Sequence, residues 1–555
     1  MLILADTDLM PEIDENMKQH PPWFDARLPD AAECSVGNLL QQRVEKDPDR
    51  PFLVLENAEQ WSNQLSLNKF RDTAAIIAGL RLTSGDRLIL MLPNGPDLLR
   101  YLFAAWMLGI IPAPVNPALH GKSLATVLEL ADSSVIVTQP NLASNLIDIG
   151  VTGLRTVVLT GEPTSNIIGL SQRVLQESEA TPKPGTPDPV LNQPWDTAAI
   201  VFSSGTTGVP KGVQVTFAQL WSLGTAFYGY VRDDDRMLLQ LPLFHILTLG
   251  ALFGSVTAGA TLAIIESFRA STFLETIYRV GATTIPGLGR SFIDVINKTP
   301  LSARDADCPL RCMIVQCSTP AVKSFAKRFH CDVLACYNMT ETSCITISEL
   351  NPEKIGSMGT PRTGIAVRIV DEHDRDVPEG EPGEIVVRAE LPWVLNDGYV
   401  GNPGATVQAW RNGWFHTGDI GRRDKDGDIF FIDRSGDVIR RRGENISSVE
   451  IESEVRQHQG VGDAAALGVD TPGGEEILIV VTPLGDAALD PEELFHFLEP
   501  RLPHFMLPYF IRIVDELPKT SIGKVQKSHL GEEGAIKDCW DRVTAGLTVK
   551  RGKPT

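Results

Sequence analysis

The sequence predicts an α/β protein with a large N-terminal domain of several layered sheets and a small, mobile α+β domain at the C-terminal end. The chain has 555 residues, which is too many for one hydrophobic core. Up to residue 435, β-rich runs alternate with helical patterns, and this alternation is typical of parallel strands covered by helices. Near residues 433–437 the pattern changes to a Gly-rich, charged stretch, so we expect the domains to be 1–435 and 436–555.

The large domain contains segments whose type is indicated by their hydrophobic pattern. The run RLILML at 87–92 is predicted to be a strand, DLLRYLFAAWML at 97–108 a helix, and SVIVT at 134–138 the next strand. Residues 237–265 carry no formal charge apart from His245 and are long enough to span a bilayer. Because Pro242 and three glycines interrupt this stretch, we expect a loop, a buried helix and a buried strand, and no integral membrane span.

The small domain is predicted from three segments. Residues 448–457 have a helical pattern, 477–481 read as a strand, and a second helix starts at Pro491. Together they are sufficient for an α+β domain of about 120 residues.

Composition and charge restrict the class of protein. Hydrophobic residues make up 43% and charged residues 22%, as in ordinary globular proteins. The net charge of −20 repels a phosphate backbone, so we expect no nucleic-acid partner, although a nucleotide bound with a divalent cation remains compatible. The eight cysteines form no C-x-x-C pair, so we expect small, mostly buried thiols in a reducing compartment and no zinc site. The N-terminus lacks a basic segment typical of a secretory signal, and a cytoplasmic location is expected.

The sharpest motif is AIVFSSGTTGVPKG at residues 199–212. A β-rich run at 198–202 leads into a stretch of hydroxyls and glycines that ends at Lys211. Glycines let backbone N–H groups approach a polyphosphate, hydroxyls add donors, and the lysine adds positive charge. The motif is neither the Walker loop, because Val209 and Pro210 separate Gly208 from the lysine, nor the dinucleotide fingerprint. It therefore predicts a phosphate-binding loop of a third kind.

At these residues the chain resembles the acyl-adenylate-forming superfamily of acyl- and aryl-CoA synthetases, peptide-synthetase adenylation domains and firefly-type luciferases. Further motifs extend the resemblance over roughly residues 35–530: LPLFH at 241–245, YNMTE at 337–341, WFHTGD at 414–419, IRRRGENISS at 439–448 and LPKTSIGK at 517–524. The IRRRGENISS segment is similar to that of carnitine- and crotonobetaine-CoA ligases. The histidine of LPLFH is typical of acyl- and aryl-CoA synthetases rather than of amino-acid-activating relatives.

The resemblance implies roles for individual residues. Tyr337 would stack on adenine, the Thr340 hydroxyl would contact the α-phosphate, and Glu341 would hold Mg²⁺, which prefers one or two carboxylates beside phosphate oxygens. Asp419 and Arg434 would contact the ribose, and Gly443 would line the pantetheine path. The implied catalytic residues are Lys524, Thr206, Glu341 and His245. The implied nucleotide- and CoA-binding residues are Ser203, Ser204, Gly205, Thr206, Thr207, Gly208, Lys211, Tyr337, Asn338, Met339, Thr340, Asp419, Arg434 and Gly443.

Several positions depart from the family pattern. The adenine-side loop, usually Gly-rich, reads Cys-Ser-Thr-Pro at 317–320, and Asn338 replaces a glycine. The hinge position, usually Asp or Lys, is Gly436, which should widen the torsional freedom of the chain there. Two arginines replace the usual small pair before Gly443.

The resemblance implies an ATP- and Mg²⁺-dependent acyl-CoA synthetase that makes an acyl-AMP, transfers the acyl group to coenzyme A and releases AMP and pyrophosphate. An acyl-AMP ligase that loads a separate carrier protein is the alternative, and a luciferase-like oxygenase has less support. The acid is not identified, but the small residues of TTIPGLGR at 283–290 favour a roomy, mostly uncharged pocket. The oligomeric state is left open.

Overall fold

A computed structural model describes residues 27–161, 169–180, 189–204, 210–227, 229–434, 436–441, 444–471, 474–485, 488–519, 525–531 and 536–547. Its α-helices are Ala31–Cys34, Val36–Lys46, Asn63–Gly79, Pro96–Met107, Gly121–Ala131, Pro140–Ala143, Phe217–Ser222, Ile246–Ala258, Phe273–Val280, Arg290–Asn297, Pro320–Phe329, Pro403–Ala409, Ser448–Val455 and Pro491–Leu498.

A nine-stranded sheet forms the centre of the molecule. Its strands in spatial order are Thr360–Pro361, Ser343–Ile347, Asp332–Met339, Cys312–Val315, Thr284–Ile285, Arg236–Leu239, Thr261–Ile264, Pro51–Val54 and Gln60–Ser62. The six strands from Asp332–Met339 to Pro51–Val54 run parallel, and the outer pairs are antiparallel. The parallel strands are almost wholly apolar because helices cover both faces of such a sheet.

Three further sheets complete the part of the chain before residue 435. A five-stranded parallel sheet has the order Ile111–Pro114, Arg87–Met91, Val135–Thr138, Thr156–Leu159 and Arg173–Gln176. A four-stranded antiparallel sheet has the order Ile365–Val370, Gly383–Ala389, Phe415–Arg423 and Ile429–Arg434. A two-stranded hairpin pairs Thr197–Ser204 with Pro210–Thr216. The predicted multi-sheet α/β architecture is confirmed.

The uncharged stretch 237–265 contains two strands of the central sheet with the helix Ile246–Ala258 between them. The helix is apolar all round and most of its residues are buried, which identifies a core helix rather than a surface helix. The predicted loop, buried helix and buried strand are confirmed, but the sequence did not predict the strand Arg236–Leu239 before the loop. Within the described ranges, none of the helices has the length and apolar character needed to cross a membrane.

The C-terminal part forms its own layer. A four-stranded sheet has the order Val461–Thr471, Gly474–Pro483, Phe510–Ile513 and Trp540–Asp541, with a two-stranded hairpin at Ile439–Arg441 and Glu444–Ile446. Two hydrophobic clusters of this part consist only of residues from Ile439 onward. The predicted strand at 477–481 and both predicted helices are confirmed, whereas the domain boundary at 435/436 stays a prediction.

Two contacts join the helix Arg290–Asn297 to this C-terminal layer. The Arg290 guanidinium donates to the Ser453 hydroxyl, and Lys298 at the helix end donates from Nζ to the Val461 carbonyl oxygen at 2.9 Å. Burial lowers the pKa of Lys298. These contacts join the C-terminal layer to a helix of the preceding part of the chain.

All eight cysteines are free thiols, and five of them are buried. Cys336 and Cys344 lie in adjacent strands of the central sheet, and Cys317 is partly exposed. Burial raises the pKa of all eight thiols. They are therefore poor nucleophiles, since the thiolate is the reactive form.

Candidate active site

The phosphate motif lies on the two-stranded hairpin. Ser203 in the first strand pairs with Lys211 in the second, and Ser204 pairs with Pro210. The sequence did not predict the second strand, because a short run after a glycine loop has no distinctive pattern without its partner. Four of the predicted phosphate-binding residues lie outside the described residues, namely Gly205, Thr206, Thr207 and Gly208.

A segment distant in sequence runs along the outer edge of this hairpin. The Gln214 amide donates to the Gly398 carbonyl at 3.0 Å, and the Val400 amide donates to the Gly212 carbonyl at 2.8 Å. These bonds flank Tyr399, whose backbone is bridged to Val213. The backbone pairing therefore fixes the register of Tyr399 against the second strand of the hairpin, directly opposite Val213.

Glu341 lies where this segment meets the hairpin, and only 6% of it is exposed. Its Oε1 accepts from the Tyr399 hydroxyl at 3.1 Å and from the Ser203 hydroxyl at 3.4 Å. Its carbonyl oxygen accepts from the Asn396 amide at 2.9 Å and from the Asn396 side chain at 2.8 Å. The structure therefore brings the predicted metal ligand to the predicted phosphate strand.

Burial raises the pKa of Glu341 above its ordinary value, because desolvation disfavours the charged carboxylate. The hydrogen bond from Tyr399 and the positive charges of Arg434 and Lys211 oppose this rise. A divalent cation would favour the charged form in the same way.

Asp419 is the centre of a second polar group and is 2% exposed. Its Oδ1 lies 2.6 Å from Arg434 Nε, and its Oδ2 accepts from the Tyr337 hydroxyl at 2.5 Å. The antiparallel strands Phe415–Arg423 and Ile429–Arg434 place Asp419 directly opposite Arg434. The two predicted ribose-binding residues thus contact each other, and Tyr337 joins them through its hydroxyl.

The local chain before Asp419 is held in a tight bend. Gly418 has a φ of +71°, a conformation that side chains rarely adopt, and its amide donates to Glu384 Oε1 at 3.0 Å. The same carboxylate contacts His416 Nδ1 at 2.9 Å. The glycine of the WFHTGD motif is therefore required by the backbone geometry that presents the aspartate.

The residues between the two polar groups lie at the end of the strand Asp332–Met339 and just beyond it. Asn338 donates to Cys336 Sγ at 3.7 Å, and Met339 Sδ lies 3.9 Å from the Tyr337 hydroxyl. The Thr340 carbonyl accepts from the buried Gln219 side chain at 2.9 Å. Because Gln219 is on the helix that follows the phosphate hairpin, this bond ties the 337–341 motif to that hairpin.

His245 is the N-cap of the helix Ile246–Ala258, with its ring 4.6 Å from that of Phe244. Burial lowers its pKa to about 4, so the imidazole is neutral at pH 7. Its Nε2 is buried and has no hydrogen-bond partner among the residues that the structure describes. No hydrogen bond joins His245 to Glu341 or Asp419 in the described chain.

The structure gives the local backbone setting of two departures from the family pattern, the 317–320 loop and Gly436. Thr319 is the N-cap of the helix Pro320–Phe329, and Pro320 is its first residue, so this loop is built as a helix start. Gly436 is exposed, its φ is not in the left-handed region, and an added Cβ would contact nothing within 4 Å. Lys524 and Gly443 lie outside the described residues.

Sequence reasoning missed three residues of the site: Tyr399, Asn396 and Gln219. Each contacts the 340–341 segment, but from a distance in sequence of 55 to 121 residues. The turn-forming NDG at 396–398 signals a loop. The sequence does not indicate that this loop contacts the 337–341 motif.

Within the described ranges, the group of His, Cys, Asp and Glu side chains close enough to share a cation is Asp424, Asp426 and Asp428. The Lys354 ammonium donates to all three carboxylates, at 2.6, 2.9 and 2.7 Å. The lysine therefore offsets part of the negative charge of the turn between the strands that carry Asp419 and Arg434.

Comparison with known proteins gives a consistent picture. Residues 40–397 match the family model described as AMP-binding enzyme, and residues 450–524 match its C-terminal domain model. A crotonobetaine/carnitine–CoA ligase from Salmonella arizonae is 30% identical, covering 87% of this chain and 96% of that protein. A protein of the same name from Escherichia coli O157:H7 is 31% identical, covering 84% of this chain and 92% of that protein.

Solved structures share the fold over most of the chain. An anthranilate CoA ligase in complex with anthranoyl-AMP has a TM-score of 0.80 at 21% identity, covering 92% of this chain and 98% of its own. The O-succinylbenzoate coenzyme A synthetase of Bacillus subtilis, in complex with ATP and magnesium ion, has a TM-score of 0.76 at 25% identity, covering 90% and 99%.

Proposed function

This chain belongs to the AMP-binding enzyme family, and we propose that it is an AMP-forming acid–thiol ligase that converts a carboxylic acid to its coenzyme A thioester. The observation that carries this proposal is a set of contacts between segments distant in sequence: Ser203 with Glu341, and Asp419 with Tyr337 and Arg434. These contacts join the 199–212, 337–341 and 414–419 motifs and the strand Ile429–Arg434. The names of the curated relatives support the same reaction.

In the first half-reaction, a carboxylate oxygen of the acid attacks the α-phosphorus of ATP, and the bond to the β-phosphate oxygen breaks. The products are acyl-AMP and pyrophosphate. Lys211 and the hydroxyls and amides of residues 203–208 would bind the phosphates, and Lys524 would offset charge between the carboxylate and the α-phosphate. Asp419 would accept hydrogen bonds from the ribose hydroxyls, because an ionised carboxylate is an acceptor only, and Tyr337 and Arg434 contact it at the same place.

Glu341 fits a magnesium ligand, because its buried carboxylate lies beside the phosphate strand and offers the oxygen donor that this ion prefers. When bound, the ion would neutralise phosphate charge. Glu341 would hold it, and Tyr399 and Ser203 fix the position of the carboxylate.

In the second half-reaction, the coenzyme A sulfur attacks the acyl carbonyl carbon, and the bond to the AMP phosphate oxygen breaks. The thiol proton is released to solvent, and AMP departs with the oxygen and the electron pair of the broken bond. We propose that residues 436–555 turn as a small domain about Gly436 between the two steps, bringing Gly443 to the thiol path.

The nature of the acid is best tested by a pyrophosphate-release screen. Short, medium-chain, aryl and quaternary-ammonium carboxylates would each be supplied with ATP and Mg²⁺, the last class because of the relatives' names. We expect one class to support pyrophosphate release and to support AMP release only when coenzyme A is added. No release with any class would contradict the proposed function.

The alternative function is the loading of a separate carrier protein. AMP release distinguishes it from coenzyme A ligation. AMP release that stays absent with coenzyme A, but appears with a phosphopantetheinyl carrier, would favour it. A cytoplasmic location and the absence of a nucleic-acid partner stay predictions from the sequence.

A further inference from the structure

Tyr399 lies between the two charged groups of the phosphate site, and none of the sequence motifs includes it. Its hydroxyl donates to Glu341 Oε1 at 3.1 Å. The Lys211 ammonium lies over the same ring, 4.8 Å from its centroid. Tyr399 is 7% exposed and Glu341 is 6% exposed, so the hydrogen bond between them is largely shielded from water, whereas Lys211 is half-buried.

Lys211 and Glu341 contact the same Tyr399 side chain, the ammonium at the ring and the carboxylate at the hydroxyl, and these two described residues form no ion pair with each other. Opposite charges in a poorly solvated site attract each other strongly. A direct pair would satisfy both groups and would have to break before either could bind a ligand. The aromatic ring gives the ammonium another favourable position, because its face attracts cations.

We propose that Tyr399 is a positioning residue that prevents Lys211 and Glu341 from pairing with each other, and so keeps one available for a phosphate and the other for a divalent cation. This inference rests on the proposed function, which supplies the two ligands. The ring and the hydroxyl have separate tasks. The ring holds the lysine, and the hydroxyl directs the carboxylate.

The backbone supports this role. The bridge between Val213 and Tyr399, with the bonds on both sides of it, fixes the ring beside the strand that carries Lys211. Asn396 in the same segment holds the Glu341 carbonyl through two hydrogen bonds. One short segment thus sets the position of both charged groups.

The test compares two variants by ATP binding, measured by calorimetry with and without Mg²⁺. Tyr399→Phe keeps the ring and loses the hydroxyl. We expect its metal-free ATP affinity to be unchanged and its half-saturating Mg²⁺ concentration to rise about tenfold, as for the loss of one hydrogen bond to a charged group. Tyr399→Leu loses both parts, and its metal-free ATP affinity should also fall about fivefold, the loss expected with one cation–π contact.

The decisive variant combines Tyr399→Leu with Glu341→Gln. If the leucine variant binds ATP weakly because Lys211 has paired with Glu341, removal of the carboxylate charge should restore metal-free ATP affinity to the wild-type level. A general packing defect would not be restored by this change. Thermal unfolding of each variant, measured alongside, reports any loss of structure.

Two results would overturn the inference: metal-free ATP affinity of Tyr399→Leu equal to wild type, or the double variant as weak as the single one. Failure of the proposed function gives a different result. In that case the wild-type protein would not bind ATP, or Glu341→Gln alone would leave the Mg²⁺ titration unchanged.

Discussion

At Lys524, one positive charge is predicted to act only in the first half-reaction. A unit charge about 4 Å from a developing negative oxygen contributes about 4 kcal/mol at an effective dielectric constant of about 20. Lys524→Ala should therefore slow acyl-AMP formation by about three powers of ten, while coenzyme A transfer from supplied acyl-AMP changes much less. Lys519→Ala is the matched control, because Lys519 lies on the same segment but pairs with Asp463 at 2.5 Å. Near-normal adenylation by Lys524→Ala would exclude this role.

Glu341 is predicted to set the magnesium requirement. Glu341→Gln keeps the shape of the side chain but removes its charge, so the Mg²⁺ concentration for half-maximal pyrophosphate release should rise and EDTA should still abolish activity. Asp426→Asn is the control, because it removes a carboxylate that is already paired with Lys354. An unchanged titration for Glu341→Gln would mean that another residue holds the ion.

His245 should make the protein sensitive to acid. Unfolded histidine binds a proton below about pH 6.5, whereas the folded site does so only near pH 4. Between these values the unfolded state binds more protons, so stability falls as the pH is lowered through that window. At about pH 4.5 this costs about 2 to 3 kcal/mol relative to pH 7. His245→Gln should lose less stability over the same range in denaturant titrations, and an identical pH dependence of both proteins would contradict the effect.

At the scale of an element, the hairpin that carries Asp419 and Arg434 depends on Lys354. Without that ammonium, three carboxylates of one turn would repel one another. Lys354→Met should lower the unfolding midpoint by roughly 2–4 °C. Added salt should reduce the difference in unfolding midpoint between this variant and the wild type, because it screens the repulsion between the carboxylates. Lys354→Arg keeps the charge and serves as the control. If salt does not change the lowering of the unfolding midpoint, the cause would be lost packing instead of charge repulsion.

At the scale of the whole molecule, Gly436 is predicted to be the pivot between the two half-reactions. Gly436→Pro fixes φ near −65° and should spare acyl-AMP formation but impair thioester formation, provided the native φ is compatible. Gly436→Ala is the control, since open space surrounds this position and both steps should persist. Pyrophosphate exchange and thioester formation would be measured on one preparation. Equal losses in both steps, with a compatible φ, would place the pivot elsewhere.

Much of the fold could be predicted from the sequence, because a short apolar run marks a buried strand such as Val135–Thr138 and a longer apolar run with helical spacing marks a helix such as Pro96–Met107. The partner strand Pro210–Thr216 could not, since a strand of mixed polarity is defined by the hydrogen bonds it makes. The 337–341 and 414–419 motifs, both recognised in the sequence, are in contact in the structure, where the Tyr337 hydroxyl donates to Asp419. Tyr399 escaped prediction because its contact with Glu341 spans 58 residues.

The burial of the cysteines has a consequence for an enzyme whose proposed co-substrate is itself a thiol. Disulfide exchange needs a thiolate, and the raised pKa values leave this protein with few thiolates at neutral pH. Oxidised coenzyme A should therefore modify the native protein slowly, and mixed disulfides should accumulate only after unfolding. The same property makes the disappearance of free coenzyme A measurable with a colorimetric thiol reagent, against a low background from the protein.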